Sequence, residues 1–226
     1  MMKSITKFLS VFLGLLFIVS CAAKEAPQNK QGEKTEPDLT EEQLAKLETA
    51  YFASGCFWCT EAVFERVKGV KEVVSGYAGG DKPNPSYKEV ASGSTEYAES
   101  VRVRYDSDVV SYRQLVKVFY GSHDPTQLNR QGPDVGKQYR SVIFYQNDEE
   151  LAIAKEIKKK LEEAGKYKDP IVTKFTKYDQ FYEAEDYHQG YYDAHPNDSY
   201  IVNVSKPKVE KFIKNFKHLL KEQYKD

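Results

Sequence analysis

The sequence predicts an α+β fold, a two-layer sandwich with helices packed on one sheet. Three observations predict it. Strand-like and helix-like stretches follow in mixed order, strand–helix–strand and then strand–helix–strand–helix–strand. Residues Glu99 to Tyr105 alternate, with Val101, Val103 and Tyr105 on one side, as a half-buried strand does. The last helical stretch carries a single apolar stripe, so it has one face to bury.

The first segment reads as a sorting signal. Lys3 and Lys7 form a positive start, and Phe8 to Val19 is apolar apart from Ser10. A membrane span needs about 20 residues, so this run has the length of a signal-peptide core instead. Ile18-Val19-Ser20-Cys21 follows and resembles the bacterial lipoprotein signal, in which the Cys thiol is acylated. The alternatives are an ordinary signal peptide with an incidental Cys, or an uncleaved anchor. Cys is scarce here and stands at the cleavage position, which favours lipidation of Cys21. Acyl chains contribute about 0.8 kcal/mol per buried methylene, so several hold firmly. Residues 1–20 are then the signal peptide and 21–48 the lipidated Cys with a polar, flexible linker. A short helix is expected between Leu39 and Glu48. Residues 49–226 form the folded domain, held outside the cytoplasm on a bacterial membrane.

Within that domain, Thr49 to Ser54 reads as a strand. It leads into a helix over 57–67, with Val63, Phe64 and Val67 on one face and Gly69 as its stop. Lys71 to Tyr77 is strand-like. Ala78 to Gly93, rich in Gly, Pro, Asn and Ser, is a long ordered loop. Ser111 caps a helix carrying Leu115, Val116 and Phe119, closed by Gly121. Ser122 to Gln138 is a second long loop, and Ser141 to Tyr145 a short strand. Asn147 or Asp148 caps a helix with Leu151, Ala154, Ile157 and Leu161 that ends at Gly165. Ile171 to Phe175 is a strand. Phe181 to Ala194, aromatic and acidic, is read as a helix. Val209, Phe212, Ile213, Phe216, Leu219 and Leu220 mark the final amphipathic helix. Two loops of this length in a compact domain are unusual and often functional.

Composition narrows the function. Lys+Arg 33 against Asp+Glu 34 gives a net charge of −1, so there is no basic field for nucleic acid. Chemistry concentrates at Gly55-Cys56-Phe57-Trp58-Cys59, which holds two of three cysteines and the only tryptophan. Cys56 falls between a strand and a helix start, where N–H groups and the helix dipole favour an anion. A thiolate nucleophile is the functional reading and a buried structural thiol the bland one. Cys59 lies three residues on, a spacing that permits a disulfide. A bridge across two residues closes almost no loop, so it favours a redox role over a structural one. A metal pair is the rival, but no further Cys remains in the domain, and His123, His188, His195 and His218 lack ligand spacing. Phe57 and Trp58 point different ways from a helix, so at least one is free to wall a site.

Further motifs follow in order: Gly76-Tyr77-Ala78-Gly79-Gly80, Asn84-Pro85-Ser86-Tyr87, Ala98-Glu99, His123-Asp124-Pro125-Thr126, Asn129-Arg130-Gln131-Gly132, Gln138-Tyr139-Arg140-Ser141 and Ala184-Glu185-Asp186-Tyr187-His188-Gln189. Together with Gly-Cys-Phe-Trp-Cys they resemble the peptide methionine sulfoxide reductase A family, over roughly residues 49 to 215. The resemblance implies a ferredoxin-like mixed sheet with long active-site loops. It implies reduction of the S epimer of methionine sulfoxide, peptide-bound or free, with no bound cofactor. Cys56 is then the nucleophile and Glu99 the acid. Tyr87 and Tyr139 hydrogen-bond the sulfoxide oxygen, and Phe57 and Trp58 receive the S-methyl group. Asp134 helps bind the substrate backbone, and His188 and Asp186 support the site. The partners implied are oxidised Met-containing proteins and a thioredoxin-like dithiol.

Three departures from the family pattern stand out. Tyr97 replaces a histidine before Ala98-Glu99, and Pro133 replaces an asparagine before Asp134. Tyr200-Ile201 stands where relatives often have Tyr-Cys, which leaves Cys59 as the one internal partner for the sulfenic acid; if Cys59 points away, an external thiol must serve. The alternatives are a general dithiol–disulfide oxidoreductase, which leaves Tyr87, Glu99 and Tyr139 unexplained, and a non-catalytic lipoprotein that binds Met-rich partners.

Overall fold

The structure, a computed structural model, describes residues 40–225. The predicted signal peptide, Cys21 and most of the predicted linker lie outside these residues. The described chain begins with a short helix, α1 (Glu41–Leu44). Thr40 and Gln43 cap it reciprocally: each backbone N–H donates to the other's side chain, at 2.9 and 3.3 Å.

The domain then runs β1 (Glu48–Ser54), α2 (Phe57–Glu65), β2 (Val70–Ala78), α3 (Tyr87–Ala91), β3 (Ala98–Tyr105) and α4 (Tyr112–Ser122). A two-stranded ribbon follows, β4 (Arg130–Gln131) and β5 (Asp134–Val135), then β6 (Ser141–Tyr145) and α5 (Asp148–Glu163). The chain ends through β7 (Lys174–Lys177), β8 (Phe181–Glu183), α6 (Tyr191–Ala194) and α7 (Lys206–Asn215).

The main sheet has the order β7-β6-β1-β3-β2-β8. Its four central strands, β6-β1-β3-β2, all pair antiparallel. Counted by appearance, that order is 4-1-3-2, two split βαβ units laid together, as the ferredoxin-like expectation requires. Helices α2 and α4 are the two crossovers. β7 extends one edge in parallel and β8 the other in antiparallel, so the sheet is mixed.

Side chains explain the layering. Phe52 of β1, fully buried, stacks on Phe64 of α2 at 5.0 Å and on Phe119 of α4 at 5.5 Å. Burying one such ring contributes about 1.5–3 kcal/mol, so this triplet pins both helices to the same sheet face. The opposite face is smaller. There Tyr51 stacks on Tyr178 at 4.0 Å, beside Ala53, Val142 and Phe144.

Several predicted elements change. Residues 181–194 do not form one helix. Phe181 and Tyr182 pair with Ala78 and Tyr77 at the sheet edge, and Gly190 at φ +62 separates them from the short α6. Tertiary pairing overrides the helical reading. The strand predicted over 171–175 is shifted, with the ladder covering Lys174–Lys177. Both predicted loops contain structure: α3 in the first, and the β4–β5 ribbon with a 3₁₀ turn, Lys137–Tyr139, in the second. Gly121 lies inside α4 rather than after it. Any Cβ there would come within 2.3 Å of the Phe216 ring, so the glycine admits that ring.

Candidate active site

Cys56 occupies the turn between β1 and α2, at the N-cap position of the helix. Gly55 makes the turn possible. Its φ is +95, and a Cβ would sit 2.7 Å from the side chain of Gln131. Gln131 is fixed in turn, accepting from the Asp124 N–H at 3.2 Å and donating to the Asp124 carbonyl at 2.9 Å. The second long loop is thus clamped against the Cys56 turn.

Around Cys56 lies an open cavity of about 290 Å³, lined by Phe57, Trp58, Tyr87, Glu99, Asp134, Tyr139 and Tyr200, with Tyr191 and Asp198 at its side. The six predicted residues among these come from α2, α3, β3, β5 and the 3₁₀ turn. No short sequence window holds them together.

Glu99 is 2 % exposed, and the Phe57 N–H donates to its Oε2 at 3.0 Å. Burial pushes its carboxyl up to about 8, and the Phe57 bond offsets only part of that. At neutral pH Glu99 therefore carries a proton that it can donate. Burial, with Glu99 nearby, also raises Tyr87, to about 12, and raises Tyr139, so both phenols stay donors. Three O–H groups converge on one cavity.

Each phenol is braced. The Tyr87 N–H donates to Glu185 Oε1 at 3.0 Å, while the Tyr77 hydroxyl donates to Glu185 Oε2 at 2.9 Å. Gln138 donates to the Ala91 carbonyl at 2.8 Å, tying the turn that carries Tyr139 to the helix that carries Tyr87. Tyr97, the first departure, is buried and donates to the Lys82 carbonyl at 2.6 Å. It anchors the loop before Tyr87 from within the fold. Pro133, the second, sits beside Gly132 in the two-residue turn of the β4–β5 ribbon. Glycine at φ +61 followed by proline suits a tight hairpin there.

Trp58 stacks on Tyr191 at 3.9 Å, and its indole N–H donates to His188 Nδ1 at 3.2 Å. That bond leaves the His188 proton on Nε2. Burial lowers the His188 pKa, and the ring packs on Phe57 at 5.0 Å and Tyr87 at 4.3 Å. His188 thus packs behind the apolar wall formed by Phe57 and Trp58. Asp186 is exposed, and its backbone carbonyl, not its carboxylate, bonds Gln189. The acid that braces the site is its neighbour Glu185.

The two thiols differ from expectation. Burial, Cys59 and Glu99 push the Cys56 thiol well up, against a smaller opposing effect of the nearby Tyr200 hydroxyl. Cys59 moves down to about 7, favoured by its hydrogen bond with Cys56 and by Lys208 and Ser205 against burial. Both sulfurs are free and buried. The Tyr200 O–H itself donates to Asp134 Oδ2 at 2.6 Å. Sequence reasoning noted Tyr200 only as the neighbour of the missing cysteine, and nothing in the sequence marked Tyr191.

A family profile described as Peptide methionine sulfoxide reductase matches residues 48–220. The chain belongs to this family. Among similar curated proteins is the peptide methionine sulfoxide reductase MsrA of Polynucleobacter asymbioticus, 48% identical over 187 residues, 83% of this chain and 98% of that one. The MsrA 1 of Rhodopirellula baltica is 53% identical over 169 residues, 75% and 87% of the two chains. Solved structures agree. Mxr1 from Saccharomyces cerevisiae in reduced form matches with TM-score 0.62 and 38% identity, over 68% of this chain and 88% of its own. Methionine sulfoxide reductase A of Corynebacterium diphtheriae matches with TM-score 0.60 and 36% identity, over 67% and 76%. The chain is thus an enzyme that reduces methionine sulfoxide, and the methionine sulfoxide reductase fold is the ferredoxin-like α+β sheet described above.

Proposed function

We propose that this reductase takes the S epimer of methionine sulfoxide through a sulfenic acid on Cys56, which Cys59 then resolves as a disulfide. The observation that carries this is the meeting of one buried, protonated carboxyl and two phenols with a nucleophilic sulfur in one cavity. Sulfoxide oxygen leaves only when it gains protons. Glu99 supplies one, and Tyr87 and Tyr139 hold the oxygen while charge builds on it.

The Cys56 thiolate attacks the sulfoxide sulfur with the methyl group against Phe57 and Trp58. Glu99 protonates the oxygen, which passes to Cys56: a Cys56 S–O bond forms as the methionine S–O bond and the transient S–S bond break, so methionine leaves and Cys56 becomes S–OH. The Cys59 thiol gives up its proton, which restores the Glu99 carboxyl; its thiolate attacks the Cys56 sulfur and expels hydroxide, which takes that proton from Glu99 and leaves as water. A dithiol of the thioredoxin type then exchanges with the disulfide and restores both thiols.

The first 21 residues support a setting for this chemistry. A lipidated Cys21 would hold the enzyme on the outer side of a bacterial membrane, where it repairs exported proteins. Its dithiol donor must then be exported or membrane-linked.

Two variants test the thiol roles. Cys56→Ser abolishes sulfoxide reduction. Cys59→Ser releases one methionine per enzyme and stops with Cys56 as sulfenic acid. Wild-type turnover of Cys59→Ser with a thioredoxin donor would remove Cys59 from the resolving role. Reduction of insulin-type disulfides with no action on sulfoxides would favour a general oxidoreductase instead.

A further inference from the structure

Relatives that read Tyr-Cys after the active-site loops carry a thiol where this chain has Ile201. Here Ile201 is 1 % exposed and opens a wide helical turn, Ile201–Ser205, closed by the Lys206 N–H donating to the Ile201 carbonyl. That is a five-residue step, one residue longer than an α-helical one. Its physical cause is two residues on. Pro207 lacks an N–H, and in a regular helix its ring would strike the carbonyl of Asn203. A widened turn just before it relieves that conflict, and such turns re-aim side chains at functional sites.

The side chain re-aimed here is Ser205. It is fully buried, and Cys59 Sγ donates to its Oγ at 3.1 Å. Lys208, one turn further along, faces the same thiol electrostatically. A buried serine beside a buried cysteine has a simple structural use, to satisfy the S–H. It has a second use that only this thiol would need. A hydroxyl can also donate, and a donor held within reach of sulfur stabilises the thiolate that attacks.

We infer that Ser205 is a positioning residue for the second half-reaction: delivered by the Pro207-widened turn, it orients Cys59 and stabilises its thiolate for attack on the Cys56 sulfenic acid. The inference rests on the proposal that Cys59 is the resolving thiol. The segment that carries Ile201 in place of a second resolving thiol thereby also carries the hydroxyl that serves Cys59. In the step itself Cys59 loses an electron pair to the new S–S bond. Cys56 sulfur is reduced as its S–O bond breaks, and hydroxide leaves as water with the proton that Cys59 gave up, passed on by Glu99. The lowered pKa of Cys59 agrees with this role.

The test follows one turnover of the full chain without reductant. Acid quenching at successive times lets mass analysis separate sulfenic acid from disulfide. In Ser205→Ala the burst remains one methionine per enzyme, which shows the fold and the first half-reaction intact. Disulfide formation at pH 7 becomes about fivefold slower, the fall in thiolate fraction when a thiol at about 7 rises by one unit. The gap closes by about pH 9, where either thiol is ionised, as unperturbed cysteine lies near 8.5. Ser205→Thr, which keeps the hydroxyl, restores the pH 7 rate. Disulfide formation in Ser205→Ala with wild-type rate and pH midpoint would overturn the inference alone. A wild-type enzyme that forms no disulfide would remove the resolving role of Cys59, and this inference with it.

Discussion

At the residue scale the account turns on Glu99. The alternation that placed Val101, Val103 and Tyr105 on a buried face already puts Glu99 on that face, two residues earlier. Its burial was therefore legible in the sequence. Its proton was not, because the desolvation that holds it comes from α2, the ribbon and β3 meeting around it. The same reason explains the two thiols: local sequence pointed to a low pKa at Cys56, and three-dimensional burial reversed it. These shifts predict an unusual pH profile. Reduction needs protonated Glu99 together with ionised Cys56. With Glu99 at about 8 and Cys56 raised, kcat/KM climbs with pH and flattens near 8, where each gain in thiolate is offset by loss of the acid. Glu99→Gln lowers kcat/KM about 10²–10⁴-fold, and its residual rate keeps rising above pH 8. A variant profile that flattens as the wild type does would place the acid elsewhere. The shift also bears on stability. Glu99 binds its proton more tightly folded than unfolded, so that contribution is full below the ordinary 4.5 and is lost as pH rises through about 8. Thermal melts should therefore show Glu99→Gln more stable than the wild type at pH 9, with the gap shrinking toward pH 5.

At the element scale the strands and long helices were legible, and the pieces that carry chemistry were less so. Residues 57–65, 112–122 and 148–163 show helical stripes with Gly or cap signals, and all three form helices. The short α3 was hidden in a loop rich in Pro and Ser, although Ser86 and Glu89 stand at capping-box spacing. Glu89 accepts from both the N–H and the hydroxyl of Ser86, at 3.0 and 2.8 Å. β8 could not be read because three residues leave no period to detect. The β1–α2 turn is the element whose geometry the site needs most. Gly55→Ala forces a side chain into φ +95 and into Gln131. Strain of this kind costs about 1–3 kcal/mol. Denaturant titration should show that loss, with kcat falling further than stability explains, because Cys56 is re-aimed. Unchanged stability would mean that Gln131 yields freely and is not the clamp described here.

At the scale of the whole molecule, the 4-1-3-2 sheet brings the ends of β1 and β3 beside the α2 start, and the two long loops close over them. Element order predicted the layers. It could not predict the meeting of Tyr87, Tyr139 and Tyr200, which depends on Glu185, Gln138 and Asp134 bonding across 47 to 98 residues of chain. Met1 and Met2 are the only methionines, so residues 3–226 offer the enzyme no substrate of its own. The N-terminal segment makes a separate prediction. Cys21→Ser releases the protein from the membrane fraction without altering its activity on a soluble sulfoxide peptide. Retention of the variant on the membrane would argue for an uncleaved anchor.

The central claim joins epimer, nucleophile and resolving thiol, and one experiment reads all three. A peptide carrying separated S and R sulfoxides is given to the reduced enzyme without a dithiol, and both peptide and enzyme are weighed by mass spectrometry. The account predicts one methionine formed per enzyme from the S sulfoxide and none from the R. The enzyme loses two hydrogens through a bond between Cys56 and Cys59. Methionine formed from the S sulfoxide with both thiols still free, or reduction of the R sulfoxide instead, would contradict it.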